Sequence, residues 1–179
     1  IHGAIKATVV EAAGSEAWDR VVDGLDQPVP VTRAFHAFED AVTLDLAARA
    51  AEVVGLPVPD ALEAVGRNWV GWASDQGYRA LLMPGPGGLF AYLDQLDDLH
   101  ARLTASFPDA SLPSFSVLET RGASCRLHYR STRTGMLPLV SGILVGLGEH
   151  FREPVVVVDV AADDDGRGGV FHLRRTGEV

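Results

Sequence analysis

The chain is short of cysteine, with one, Cys125, in 179 residues. A single thiol excludes an internal disulfide and any zinc or iron–sulfur site built from several cysteines. It reads as a small apolar side chain in a strand. Basic residues are also scarce: 15 Lys and Arg stand against 24 Asp and Glu, for a formal net charge of -9. Nucleic acid and anionic membrane surfaces are both bound through clustered Lys and Arg, so that balance argues against either as a partner. No apolar run reaches the roughly 18 residues of a membrane span. The first stretch, "IHGAIKATVVEAAG", has too short an apolar run before Glu11 for a signal peptide. The expectation is a cytoplasmic protein with no nucleic-acid or membrane partner.

Apolar residues are plentiful at 47%, enough at this length for one well-packed core and short for two, so residues 1–179 read as a single domain. From Ile1 to about Asp23 the pattern predicts one or two short helices broken at "AAGSEAW", where Ser15 could cap the second. Leu25 to Arg33 reads as a loop. A helix is expected from about Thr43 to Val54, stopped by Gly55 with Pro57 beyond. Another starts at Pro59 and Asp60, with Glu63 placed for a capping box, and ends near Gly77. "MPGPGG", Met83 to Gly88, is a turn and not a phosphate loop, because no strand clearly feeds it and no Lys-Ser/Thr follows. "FPDASLP" ends the helix that comes next.

After Pro113 the character changes. "SFSVLETRGASCRLHYRS" reads as two strands around a tight Arg121-Gly122 turn. "GMLPLVSGILVGLGEHF" is a helix with Pro138 in its first turn, and "PVVVVDVAADDDGRGGVFHLRR" is a second hairpin. Asp163, Asp164 and Asp165 in that hairpin's loop resemble part of a calcium loop but lack the downstream Glu, and read as a solvated turn. The expected fold is therefore α+β: an N-terminal helical part, then a four-stranded antiparallel sheet with an inserted helix.

In "LDQLDDLHARL" the apolar stripe runs Leu89, Leu93, Leu96, position 100, Leu103 and Phe107, the spacing of one buried helix face. Position 100 holds His100. One explanation is a core histidine satisfied by a backbone carbonyl. A second feature points elsewhere: in "LHYRSTR", Tyr129, Ser131 and Arg133 recur at every second residue and would project to one side of a strand running into a turn. Phenol, hydroxyl and guanidinium are all hydrogen-bond donors, and arginine binds carboxylate in a two-pronged, charge-assisted way. An imidazole facing an apolar cavity, together with donors for paired carboxylates, suits a haem with its axial ligand and propionates.

"LDDLH", "LPSF" and "Y-R-S-T-R-T-G-M" together resemble the haem nitric oxide/oxygen binding family, H-NOX, which includes the haem domain of soluble guanylate cyclase. The resemblance starts at "IHGAI", passes through "AVGRNW", "GYRALL" and "LVSGILVGL", and reaches the last hairpin. It implies a haem b buried between the helical part and the sheet. His100 would be its proximal ligand, and Tyr129, Ser131 and Arg133 would hold its propionates. Pro113 matches a proline that presses on a pyrrole, and Ile5 matches a position packing on the porphyrin from the distal side. Without the resemblance, both would read as ordinary packing residues.

Two departures matter. Family members that bind oxygen stably carry a distal tyrosine, yet the tyrosines here are Tyr78, Tyr92 and Tyr129, none between Gly135 and Gly148. The matching distal positions are Leu139 and Ile143, faced by Trp69 and Val70. Such apolar residues give oxygen no hydrogen bond, whereas nitric oxide and carbon monoxide need none, so the resemblance implies a nitric oxide sensor that excludes oxygen. The indole N–H of Trp69 leaves an oxygen-binding alternative open. Ile1 stands where the family starts with methionine. The implied mechanism is a two-state switch: nitric oxide weakens the bond to His100, and relaxation against Pro113 and Ile5 shifts the N-terminal helices. Asp94, Asp97 and Asp98 read as solvated residues on that helix. No catalytic output domain is expected, so the partner would be a separate histidine kinase or cyclic-dinucleotide enzyme. Two rivals stay open: a haem enzyme of peroxidase type, which would need a distal acid–base group, and a haem-free interaction module with a buried structural histidine.

Overall fold

Gly14 splits the first helical stretch, its backbone at φ 84° and ψ 172°, a conformation that only glycine adopts readily. α1 spans His2–Ala13 and α2 spans Ser15–Asp23. Ser15 is not the cap. Gly14 makes the turn, so Ser15 is already the first helical residue and its hydroxyl caps nothing. The computed structural model describes residues 1–25, 40–83, 85–107 and 111–177. The expected loop at 26–33, Pro84 in the glycine-rich turn and positions 108–110 of "FPDASLP" lie outside the described residues.

α3 covers Asp40–Val54 and stops before Gly55, as expected, and α4 covers Val58–Ala73. The capping box at Asp60 and Glu63 does not form: Pro57 is the N-cap, Val58 and Pro59 begin the helix, and Asp60 sits in the first turn. There its carboxylate still favours the positive end of the helix dipole. The α-helix also ends earlier than Gly77, giving way to a π-helical turn, Ser74–Tyr78, and a 3-10 turn, Arg79–Leu82.

The expected single helix carrying His100 is two. α5, Gly88–Asp94, and α6, Leu96–Ser106, are separated at Gln95, whose φ of -98° and ψ of 0° interrupt the helix. Leu89, Leu93 and Leu96 are buried, but His100 and Leu103 are half-buried and Phe107 is 43% exposed. The buried stripe thus stops short of the expected length. The break redirects α6, which packs on the first strand and on α5 rather than along the helical core.

That strand, β1 (Ser114–Arg121), pairs with β2 (Ser124–Arg130) around Gly122-Ala123, one residue later than expected, with Arg121 still paired to Ser124. α7 follows at Leu137–His150 with Pro138 in its first turn, then β3 (Val155–Ala162) and β4 (Gly168–Arg175). All neighbours are antiparallel, in the order β1-β2-β4-β3, so the second hairpin places its later strand beside the first hairpin. The α+β expectation holds. On β2, Cys125, Leu127 and Tyr129 face inward and are buried, while Ser124, Arg126 and Arg130 are exposed. Burial pushes the Cys125 thiol pKa up, consistent with its reading as an apolar strand residue.

Among the described residues α4 and α7 make the most extensive helix pair. Their backbones nearly touch: a methyl added at Gly66 would overlap the Leu139 carbonyl oxygen, and one at Gly142 would overlap that of Glu63. At the far end the Arg67 guanidinium pairs with both carboxylate oxygens of Glu149. One apolar cluster joins α1, α4, α5 and α7 to the inner face of the sheet.

Candidate functional site

His100 sits mid-way along α6, and its Nδ1 lies 2.7 Å from the carbonyl oxygen of Pro113. A carbonyl only accepts, so in the neutral ring Nδ1 carries the proton and Nε2 carries the lone pair. Metal-binding histidines are commonly held this way, one nitrogen fixed by a carbonyl and the other left to bind. Backbone satisfaction and ligation are therefore compatible here. Pro113, half-buried just before β1, supplies this carbonyl, a role the sequence did not suggest.

Two further residues position His100. Asp97, one turn earlier, is not simply solvated: its Oδ1 accepts the backbone N–H of Phe115 at 2.6 Å and ties α6 to the start of β1. The Phe115 ring lies 5.7 Å from the His100 ring and 5.4 Å from the Tyr129 ring, centroid to centroid. Both were missed. The alternation in "SFSVLE" marks Phe115 as inward-facing, but the bond to Asp97 spans 18 positions and has no local signal.

Tyr129 is 3% exposed on the inner face of β2, between Phe115 and Phe171. Ser131 and Arg133 do not continue the strand with it. β2 ends at Arg130, and the chain bends, with the Ser131 hydroxyl accepting the Arg133 backbone N–H at 3.2 Å and the Ser131 N–H donating to the Arg167 carbonyl. A serine reaching the amide two residues on makes such a turn, which is why alternate-residue spacing fails here. The Ile1 amine has its pKa lowered first by burial and then by the Arg133 charge.

On the other side, Ile5 is fully buried on α1, one turn after the buried His2, whose Nε2 lies 3.0 Å from the Thr43 hydroxyl on α3. The glycine contacts described above set Leu139 and Ile143 of α7 directly against α4, which carries Trp69 and Val70. Val70 and Leu139 are buried; Ile143 and Trp69 are half-buried. The Trp69 indole has no hydrogen-bond partner among the described residues. The acidic loop holds an arginine. Asp163 and Asp165 clasp Arg130 at 3.0 and 2.6 Å, and Asp163 lies 3.3 Å from His128, so the turn is held rather than merely solvated.

Among the described residues no three metal-ligating side chains come together. A lone histidine suits a metal whose other positions are filled by a macrocycle, not a bare ion. The sequence profile described as Haem-NO-binding matches residues 1–159. The chain belongs to the H-NOX family. H-NOX domains bind haem and act as gas sensors, and the domain is a sensor rather than a catalytic unit. The soluble guanylate cyclase gcy-35 of Caenorhabditis elegans is 27% identical over 168 residues, 89% of this chain and 24% of that protein. The human guanylate cyclase soluble subunit beta-2 is 32% identical over 84 residues, 47% of this chain and 14% of that one. This H-NOX chain thus spans about a quarter or less of those relatives' length. In fold it matches the Fe(II) unliganded H-NOX protein from K. algicida with a TM-score of 0.81 at 19% identity, covering 99% of this chain and 96% of that one. No described helix is long and apolar enough to cross a membrane.

Proposed function

We propose that this H-NOX chain, folded as one domain over residues 1–179, is a cytoplasmic sensor of nitric oxide, and of carbon monoxide, that excludes oxygen. The group bound would be haem b, held between the helical part and the sheet, where it supplies an iron position open to a diatomic gas. His100 would hold the haem iron through Nε2. Tyr129, Ser131 and Arg133 would receive the propionates, and Ile5 and Pro113 would pack on opposite faces of the macrocycle.

The observation that carries this is the bond from His100 Nδ1–H to the Pro113 carbonyl, which leaves Nε2 as the basic nitrogen and raises its strength as a ligand. Leu139, Ile143 and Val70 have no N–H or O–H side-chain donor, so they give oxygen no hydrogen bond, while nitric oxide and carbon monoxide bind without one. Signalling follows from how α6 is held. Through Nε2 His100 would join α6 to the haem, while Pro113 and Asp97 bond α6 to the start of β1. The two-state element is α6, and its reader would be a separate protein, a histidine kinase or a cyclic-dinucleotide enzyme. One observation favours a second reading: the unbonded Trp69 indole beside Val70 could serve an oxygen-binding pocket.

Replacing His100→Gly tests the ligand assignment. The expected variant loses the ferrous spectrum of a histidine-bound haem and regains it when imidazole is added. An unchanged spectrum in the variant without imidazole contradicts the assignment.

A further inference from the structure

The inner face of the sheet is covered by helices, while no described element covers its outer face, where two arginines stand without a carboxylate partner. On β2 the outward residues include Ser124, Arg126 and Arg130, and on β4 Arg174 faces the same way. In the ladder Arg126 stands opposite His172, and Ser124 opposite Arg174. The two arginines are therefore diagonal neighbours on one face, within reach of a single extended ligand. Arg121 is paired with Glu119, and Arg130 is clasped by Asp163 and Asp165. Arg126 and Arg174 have no such partner among the described residues. Glu119 of β1 stands directly opposite Arg126 with its carboxylate held by Arg121, and Asp159, at the bulge of β3, stands opposite His172.

Beside them the edge strand β3 exposes Val156 at 37% and Val158 at 56%, with Val156 directly opposite Arg174. Arg126, Arg174, His172 and Val158 line a shallow depression of about 360 Å³ on this face. Exposed valines next to unpaired arginines on an edge strand are a liability unless something covers them. We infer that the outer face of the sheet, centred on Arg126, Arg174, Val156 and Val158, docks an acidic segment of a partner protein in which carboxylates alternate with apolar side chains.

Charge favours that occupant over the others. A chain of net charge -9 repels an acidic partner except where cations lack carboxylate partners, and Arg126 and Arg174 set two such cations side by side on one face. Nucleic acid and anionic lipid demand larger cationic clusters than two arginines inside an acidic surface. The face lies across the sheet from the helices, so a docked partner leaves the His100 side free while touching β2, whose Tyr129 stacks on Phe115 beside His100. What that partner would read rests on the proposed switch; the docking itself does not.

The test is fluorescence anisotropy of a short labelled peptide alternating valine and glutamate, with its valine-lysine counterpart as control, on the full chain with its haem in one fixed state. The acidic peptide should bind and the basic one should not. Added salt should weaken binding, and Arg126→Glu with Arg174→Glu should weaken it about tenfold or more. Arg20→Glu with Arg79→Glu makes the same change in net charge on exposed helical and turn positions and should have little effect. Val158→Glu, at an exposed edge position that folding does not need, should also weaken it. The inference is overturned by any of four results: no binding of the acidic peptide, equal loss in both double variants, tighter binding of duplex DNA or phosphatidylserine vesicles, or a self-associating chain whose sedimentation shifts with the Arg126 and Arg174 reversals. Peptide binding by a chain with no haem spectrum would keep this inference and remove the sensor function.

Discussion

Gly66 and Gly142 let α4 and α7 approach closely by having no side chains themselves. Their Cα atoms lie against the backbones of the partner helices, which sets Leu139 and Ile143 directly against α4. Gly66→Ala must push α4 from α7, because the obstacle is a carbonyl oxygen and not a flexible side chain. The expected cost is about 2 kcal/mol or more, read as a lower urea midpoint. A midpoint within experimental error of the parent would contradict the close approach. Tyr92 gives a pH-dependent expectation. Burial raises its phenol pKa from 10.0 to about 12, and its O–H donates to the Leu81 carbonyl at 3.0 Å. The folded state therefore holds a proton that the unfolded chain gives up near pH 10.0, so this stabilisation is present below that pH and is lost as pH rises toward about 12. Tyr92→Phe should remove up to about 1.4 kcal/mol of stability loss per pH unit in that window. Urea unfolding across the alkaline range checks this, and equal slopes in variant and parent would refute it. At this scale His100 stood out as a polar residue in an apolar spacing, although the buried stripe itself ends at Leu96. Asp97 did not, since its partner, Phe115, lies beyond the helix on β1.

At the scale of elements, the connection between α7 and β3 holds the helix that leads to His100. Glu153 accepts the Leu89 N–H at the start of α5 through Oε1 at 3.3 Å, and its Oε2 pairs with Arg175 at 2.8 Å. Arg175 in turn lies 4.3 Å over the Phe90 ring. One carboxylate thus joins α5, the α7–β3 connection and the end of β4. The pair is 25% and 29% exposed, so solvent screens it only in part. Glu153→Gln keeps an acceptor but loses the charge, with an expected cost of about 1 kcal/mol. Hydrogen exchange should quicken in the α5 amides and stay unchanged in α1; uniform or absent change would contradict a local clamp. Helix and strand identities were largely legible from apolar spacing and from the Gly and Pro residues around them. The break at Gln95 was not, because the apolar spacing from Leu89 to Leu96 passes through it without a fault. The missed caps at Ser15 and Asp60 share a cause: each residue type suits a cap, but Gly14 and Pro57 already set the turn one or more residues earlier.

For the whole molecule, hydrophobic order along the chain marked helices first and two hairpins after, and that much of the architecture was readable. The strand order β1-β2-β4-β3 and the contact of α4 with α7 depend on long-range packing through small residues, which no local pattern records. Ser131 and Arg133 show the same limit within the candidate site: their residue types pointed to an anion clamp, while their placement depends on a turn closed against Arg167. In the proposed function, His100 and an apolar α4–α7 wall together make a gas-selective haem site. The most direct measurement is the visible absorption spectrum of the reduced protein, first in air and then with nitric oxide. A five-coordinate ferrous spectrum that ignores air and shifts with nitric oxide is the predicted result. A stable oxygen-bound spectrum would contradict the apolar wall and assign the donor to Trp69, and the lack of any haem spectrum would contradict the site itself.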